Sequence, residues 1–343
     1  MLLIYMGNLL NYQSHRFCIA PMMDWTDRHC RVFHRQLTKR ALLYTEMVTA
    51  DAVIHGNRTK LLGFSGEEHP IALQLGGSDP KKLAEAARVG ADFGYDEINL
   101  NIGCPSSRVQ EGRFGACLMS EPELVASCVA VMRANQSAPV TVKCRIGIDE
   151  QDAEADFQNF IEVVAGAGCT TFIVHARKAW LKGLSPKENR EIPPIDYQRV
   201  YRLKASRPDL KIVLNGGIAT VDEVRRHLDH VDGVMLGRAA YQNPFVLAGV
   251  DRELFGETAS APTRANALEV LIPYVDAHLR DGGRLSNITR HILGLYHGRP
   301  RGRAFRRLLS EEATRSNAGV EVLRAAMDLA EGEQYRGARS RAA

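Results

Sequence analysis

The sequence predicts a (β/α)8 TIM barrel followed by a C-terminal all-helical domain, and three observations carry that expectation. Eight short β-rich runs alternate with helical stretches before residue 240, the order that builds a parallel sheet with crossover helices and suffices to close a barrel. No G-x-G-x-x-G follows the first run, which weakens the competing doubly wound sheet. From about Thr263 the hydrophobic period becomes 3.6 throughout, giving four helical segments to about Ala330.

Each element has a local reason. Residues 16–20 form a first strand ending at Pro21-Met22-Met23-Asp24, and Thr26 or Asp27 caps a helix to about Leu37. The second strand is 42–46, with helical sequence to about Gly56. The third, 70–75, is stopped by Gly76-Gly77, and Ser78-Asp79-Pro80 opens the next helix with a cap and a first-turn proline. In the fourth, 97–102, Ile98, Leu100 and Ile102 alternate with polar residues. That run stops at Gly103-Cys104-Pro105, where glycine permits a sharp turn and proline removes a backbone donor. A helix at 121–134, a strand at 140–144, a helix at 152–165 and a strand at 170–175 follow. Strands at 211–215 and 233–237, separated by a helix at 221–228, complete the set. The expected organisation is an N-terminal extension (1–16), a barrel (17–250), a helical domain (260–332) and a flexible tail (333–343).

Composition narrows the class. Apolar content of 45% and charged content of 24% suit a soluble globular protein. Seven cysteines, an odd number without C-x-x-C spacing, argue against a disulfide framework or zinc ribbon and for a reducing compartment. No stretch approaches ~20 apolar residues, so no membrane span is expected. Residues 1–10 are apolar but lack a basic n-region and an A-x-A-like cleavage site. The expectation is a cytoplasmic monomer with no metal. A net charge of +4 says little by itself.

A barrel keeps its chemistry at the carboxyl ends of its strands. Those ends carry Met22, Met23, Glu46, Gln74, Asn101, Cys104, Lys143, Arg145, His175, Asn215-Gly216-Gly217 and Gly237-Arg238. One polar strand-end residue is commonly solvated or caps a loop; recurrence in most of the units points to a site. Loops after the last two strands of such barrels frequently bind phosphate through backbone N–H groups. Gly216, Gly217 and Gly237 let the backbone come close, and Arg238 adds a bidentate charge. Lys143 suits a different task, a cation beside a flavin ring that tunes its electronics. Free cysteine is usually a buried small hydrophobe, but Cys104 lies between Gly and Pro on a loop, a poor place to bury one.

These residues carry a family. The run from Ile98 to Pro105, continued by Gly115-Ala116-Cys117-Leu118, resembles the signature of tRNA-dihydrouridine synthases. So do Ala20-Pro21-Met22-Met23-Asp24, Gln74-Leu75-Gly76-Gly77, Val142-Lys143, Val174-His175-Ala176-Arg177, Asn215-Gly216-Gly217 and Gly237-Arg238. The stretch from Leu184 to Pro194 resembles the bacterial subfamily acting on positions 20 and 20a of the D-loop. The resemblance implies FMN-dependent, NADPH-consuming reduction of the C5–C6 bond of uridine in tRNA. Hydride would pass from flavin N5 to uracil C6, with Cys104 as the acid that protonates C5. Pro21, Met22, Met23, Gln74, Lys143, His175, Asn215, Gly216, Gly217, Gly237 and Arg238 would hold FMN. Asn101 would contact the uracil or its ribose, and His175 and Arg177 would border the substrate pocket. The chemistry agrees, since a thiol with the ordinary pKa of ~8.5 is still protonated at neutral pH and can donate. The uracil must leave its stack, at a cost of a few kcal/mol that a loop nucleotide partly avoids.

Two regions are expected to grip RNA. Residues 282–310 hold seven arginines, among them Arg299, Arg303 and Arg306, and no Asp or Glu. Basic runs are usually solvated faces; the accompanying Tyr296, His297 and Phe305, outside the barrel, favour phosphate binding. The 177–194 connection holds five basic and two acidic residues around Trp180 and Leu184, longer than a connector needs. It reads as a lip with Lys187 and Arg190 toward RNA. Two competing readings share parts of this pattern. A barrel flavoenzyme acting on a free pyrimidine or dihydroorotate-like metabolite would not need the arginine-rich helices. An RNA-binding protein with a vestigial barrel would not need Cys104 and Lys143.

Overall fold

Eight strands close on one another in sequence order, all parallel: β1 (Phe17–Ile19), β2 (Leu42–Thr49), β3 (Ile71–Gly76), β4 (Glu97–Ile102), β5 (Val140–Arg145), β6 (Thr171–His175), β7 (Lys211–Asn215) and β8 (Gly233–Leu236). Closure is β1 on β8, with Ile19 opposite Leu236. This computed structural model describes residues 15–151 and 153–332. Most of the expected extension and all of the expected tail, 333–343, lie outside the described residues.

Helices follow the strands as the caps predicted. Asp27 opens Arg28–Arg35 by accepting the His29 and Cys30 amides, and Asp79 opens Pro80–Asp92 with proline in the first turn. The β6–β7 connection also contains a helix, Tyr197–Ser206, which the periodicity did not suggest.

Strand alternation sorts the core in two. Phe17, Ile19, Leu43, Leu73, Ile98, Leu100, Val142, Phe172 and Leu214 face the surrounding helices. Cys18, Ala20, Leu42, Tyr44, Ala72, Ile173, Val213 and Met235 form a smaller cluster inside the barrel. That inner cluster is contributed by β1–β3 and β6–β8. On β3–β5 the inner positions become polar, with Gln74 beside Asn99, Asn99 beside Thr141, and Asn101 beside Lys143.

The C-terminal helices Arg264–Arg280, Leu285–Ile292, Gly302–Glu312 and Val320–Glu331 match the four expected segments. They seat on the Arg28–Arg35 helix. The Asp27 carboxylate that caps this helix also takes His291 Nε2 at 3.0 Å and Arg290 Nη2 at 3.0 Å. Arg290 Nη2 further donates to the Asp24 carbonyl at 2.8 Å, and His291 Nδ1 lies 3.1 Å from the Tyr241 hydroxyl. Tyr241 stacks on Trp25, with ring centroids 4.3 Å apart. A Cβ on Gly294 would sit 2.3 Å from the Gln242 carbonyl, so the two backbones meet where only glycine fits.

Candidate active site at the barrel mouth

Cys104 sits half-buried on the turn after β4. Two devices shape that turn. Asn101 Oδ1 accepts the Gly103 and Cys104 amides at 3.1 and 3.0 Å. The Cys104 carbonyl accepts the Ala116 amide at 2.9 Å. Gly115 lies beneath it with φ of 75°, and a Cβ there would sit 2.6 Å from that carbonyl, so the Gly115-Ala116 pair is a backbone support for the Cys104 turn. The thiol lies 3.6 Å from the Ser106 hydroxyl.

Cations gather beside it. Lys143 Nζ donates to Asn215 Oδ1 at 3.1 Å. Burial, with Arg145 nearby, pushes the Lys143 ammonium down to about 8. Arg145 at the end of β5 is buried and held by three carbonyls: Gly103 at 2.9 Å, and Lys178 and Asn189 at 3.0 Å. Burial lowers it to about 10. It therefore ties the Cys104 turn to the lip. His175 neighbours Arg145 and Asn215 in the strand register. Burial, then Arg145 and Lys143, hold its imidazole well below the usual range, so it is neutral.

The 215–217 turn has room for no side chain at its two glycines. Gly216 and Gly217 have φ of 120° and 73°. A Cβ would lie 2.7 Å from the His175 ring at the first and 2.4 Å from Ile195 at the second. Tyr197 donates to the Gly216 carbonyl at 2.8 Å. The glycine turn at the end of β7, the half-buried Lys143 ammonium on a neutral amide, and Gly237-Arg238 after β8 suit an anionic cofactor with a phosphate tail. Met22 packs on the inner cluster and Met23 is 54% exposed. Gln74 is buried, donating to Asn99 and accepting from Asn101, each at 2.8 Å.

The sequence-derived residues meet here with changed partners. Arg238 forms an ion pair with Glu191 of the lip at 2.5 Å. Arg177 is spent on the Pro193 carbonyl and, at 3.3 Å, the Glu191 carbonyl. Lys187 and Arg190 are exposed on the lip. Arg299, Arg303 and Arg306 are exposed and have no acidic partner among the described residues. Arg290, by contrast, is committed to Asp27. Tyr296 and Phe305 belong to the helical core, 4% and 0% exposed with centroids 4.6 Å apart; neither ring is available to a phosphate, because Phe305 is on the inward face of the Gly302–Glu312 helix and Tyr296, in the turn before it, packs against Phe305.

Sequence reasoning missed Asn189, which organises the lip. Fully buried, it takes the Trp180 amide at 2.8 Å and donates to the Trp180 carbonyl at 2.9 Å. It also missed Glu97, Asn99 and Thr141, whose signal was present: polar residues at alternate positions of two adjacent strands, where a barrel interior is ordinarily apolar.

Fold and mouth together define a (β/α)8-barrel enzyme with a thiol and an ammonium at the carboxyl ends of β4 and β5. A solved 2-naphthoyl-CoA reductase complex shares the fold, with a TM-score of 0.54 at 10% identity over 68% of this chain and 49% of that one. The family model "Dihydrouridine synthase (Dus)" matches residues 18–331. A tRNA-dihydrouridine(20/20a) synthase of Xanthomonas campestris is 61% identical over 310 residues, 90% of this chain and 92% of its own. Its Synechocystis counterpart is 58% identical over 309 residues with the same coverage. One from Yersinia pestis is 56% identical over 325 residues, 94% of each chain. The chain belongs to the dihydrouridine synthase family.

Proposed function

We propose that this protein reduces the C5–C6 bond of uridine at positions 20 and 20a of the tRNA D-loop, using FMN and NADPH. The observation that carries the reading is the placement of Cys104 on the β4 turn, with Lys143 on the adjacent strand and the positive-φ glycine turn at the end of β7. Pro21, Met22, Met23, Gln74, Lys143, His175, Asn215, Gly216, Gly217, Gly237 and Arg238 hold FMN, which supplies hydride when bound. The Gly216-Gly217 backbone and Arg238, which here pairs with Glu191, would hold its phosphate. Lys143 would supply a positive charge that stabilises a reduced flavin. Cys104 Sγ–H protonates C5 of the uracil, a proton a serine hydroxyl is too weak an acid to give.

In this reading residues 17–250 are the catalytic unit and 260–332 the tRNA-binding unit. Asn101, with its carbonyl held by the turn, presents its remaining capacity to the nucleotide. Arg177, Lys187 and Arg190 on the lip, and Arg299, Arg303 and Arg306 on the helices, meet phosphates that set register without reading bases. The exposed arginines favour tRNA over a free pyrimidine as substrate. The protein acts as a cytoplasmic monomer.

The test is direct. Purified protein is expected to be yellow, with about one FMN per chain for its one phosphate site. It should oxidise NADPH in the presence of tRNA lacking dihydrouridine, with product mapped to 20 and 20a. A colourless protein that FMN cannot reconstitute would refute the proposal.

A further inference from the structure

A continuous line of buried hydrogen bonds runs through the barrel interior from its base to the Cys104 turn. At the base, the Glu97 carboxylate pairs with His15 and accepts the Tyr44 hydroxyl at 2.7 Å and the Thr141 hydroxyl at 2.6 Å. Burial works to raise this carboxyl, but His15 and the two hydroxyls outweigh it and hold Glu97 below the usual range. Above it, Asn99 Nδ2 donates to Thr141 Oγ1, Gln74 Nε2 to Asn99 Oδ1, and Asn101 Nδ2 to Gln74 Oε1, each at 2.8 Å. Asn101 Oδ1 then takes the Gly103 and Cys104 amides.

The direction of this line is not free. A carboxylate only accepts, so Thr141 must spend its one hydroxyl proton on Glu97 and meet Asn99 as an acceptor. Asn99 must then show its amide nitrogen to Thr141 and its oxygen to Gln74. The same choice passes through Gln74 to Asn101, whose oxygen is left facing the turn. At the far end the two backbone N–H groups demand an acceptor there. Both ends impose one orientation, and a reversal anywhere sets donor against donor in a dry interior, where an unmet polar group is costly.

We propose that Glu97, Thr141, Asn99 and Gln74 form a polar relay that fixes the donor and acceptor faces of Asn101, and through it the turn that carries Cys104. Glu97 and Thr141 are positioning residues: they touch neither substrate nor thiol. The inference rests on the reading of Cys104 as proton donor only for its kinetic arm.

The experiment uses the flavin-loaded protein with Thr141→Val, which removes the hydroxyl at nearly constant volume, and Thr141→Ser, which restores it. Asn99→Leu cuts the same line one link nearer the turn, so the outcome does not hang on one variant's folding. Two quantities are followed: the iodoacetamide alkylation rate of Cys104, with the part-exposed Cys117 as internal reference, and single-turnover dihydrouridine formation. Thr141→Val and Asn99→Leu are expected to change Cys104 alkylation without changing Cys117. Each should slow turnover about 5–10-fold, the worth of one orienting hydrogen bond, with tRNA affinity unaltered and Thr141→Ser close to wild type. In an Asn101→Ala background, Thr141→Val should add nothing further, since the line no longer reaches the turn. Wild-type alkylation and turnover in folded Thr141→Val and Asn99→Leu would overturn the relay. So would a Thr141→Val effect that persists in full without Asn101. Wild-type protein that forms no dihydrouridine would sink the functional reading instead, and the alkylation result would still decide the relay.

Discussion

Truncation of Asn189 to alanine tests how firmly the lip is closed over the mouth. The side chain makes two short bonds to Trp180, at 2.8 and 2.9 Å, and longer ones to the Leu184 and Ser185 carbonyls at 3.2 and 3.3 Å. Two good hydrogen bonds contribute about 1–3 kcal/mol net, and leaving a partner unmet adds about 1 more. The lip should therefore open more readily by about 2–4 kcal/mol, or about 30- to 900-fold in its local equilibrium. Arg145 still holds the residue 189 carbonyl at 3.0 Å, so the lip loosens without detaching. Native-state hydrogen exchange reads this directly. The amides of residues 189–192, bonded within the lip to Ser185, Lys187 and Glu188, should exchange faster by that factor, while β4–β6 amides keep wild-type protection. Flavin content should not change, and KM for tRNA should rise. Unchanged exchange across 189–192 would mean that Asn189 does not hold the lip, and the reasoning from its bonds would be wrong.

Three further outcomes are expected. Cys104→Ala should leave flavin reduction by NADPH intact and lower uridine reduction ~10²–10⁴-fold, the worth of a general acid, measured by stopped-flow absorbance and product analysis; normal product formation would assign the proton to another group. Because Lys143 titrates near 8, raising pH through that value removes its charge, so flavin reduction should slow on the alkaline side and the limb should vanish in Lys143→Met. The neutral His175 cannot supply that limb, and a pH profile that Lys143→Met leaves unaltered would refute the assignment. Arg299→Ala, Arg303→Ala and Arg306→Ala should each weaken tRNA binding uniformly and flatten the log–log salt dependence by roughly 0.7–0.9; three unchanged slopes in filter binding would leave these arginines as a solvated face.

What the sequence disclosed and what it hid have separate physical causes. Strand periodicity, caps at Asp27 and Asp79, and glycines at 216 and 217 are local features, legible because their reasons lie within a few residues. The burial of Phe305 was misread because an arginine-rich composition drew attention from the helical period that turns its ring inward, and that of Tyr296, in the turn before that helix, rests on a tertiary contact with Phe305 that no period announces. The Arg290–Asp27 pair joins residues 263 apart, and no local signal announces such a partner. Glu97, Asn99 and Thr141 were legible only in combination, since their alternation on two strands means a polar interior once the barrel closes, and which of them bond one another depends on a strand register that local sequence does not give. Asn189 gave no warning at all, being one polar residue in a loop of polar residues.

The seating of the C-terminal helices has a consequence for how this chain can be divided. The Arg28–Arg35 helix is buried from Cys30 to Arg35, with the barrel on one side and the Leu285–Ile292 helix on the other. Asp27 is shared between them, as N-cap and as acceptor for His291. The two units thus have a wall in common and are not modules to be exchanged like beads on a string. Grafting these arginine-bearing helices onto a relative's barrel would carry across half of a joint whose other half is written near residue 27. A chimera aimed at redirecting position choice on tRNA must therefore transplant 24–35 together with 264–331.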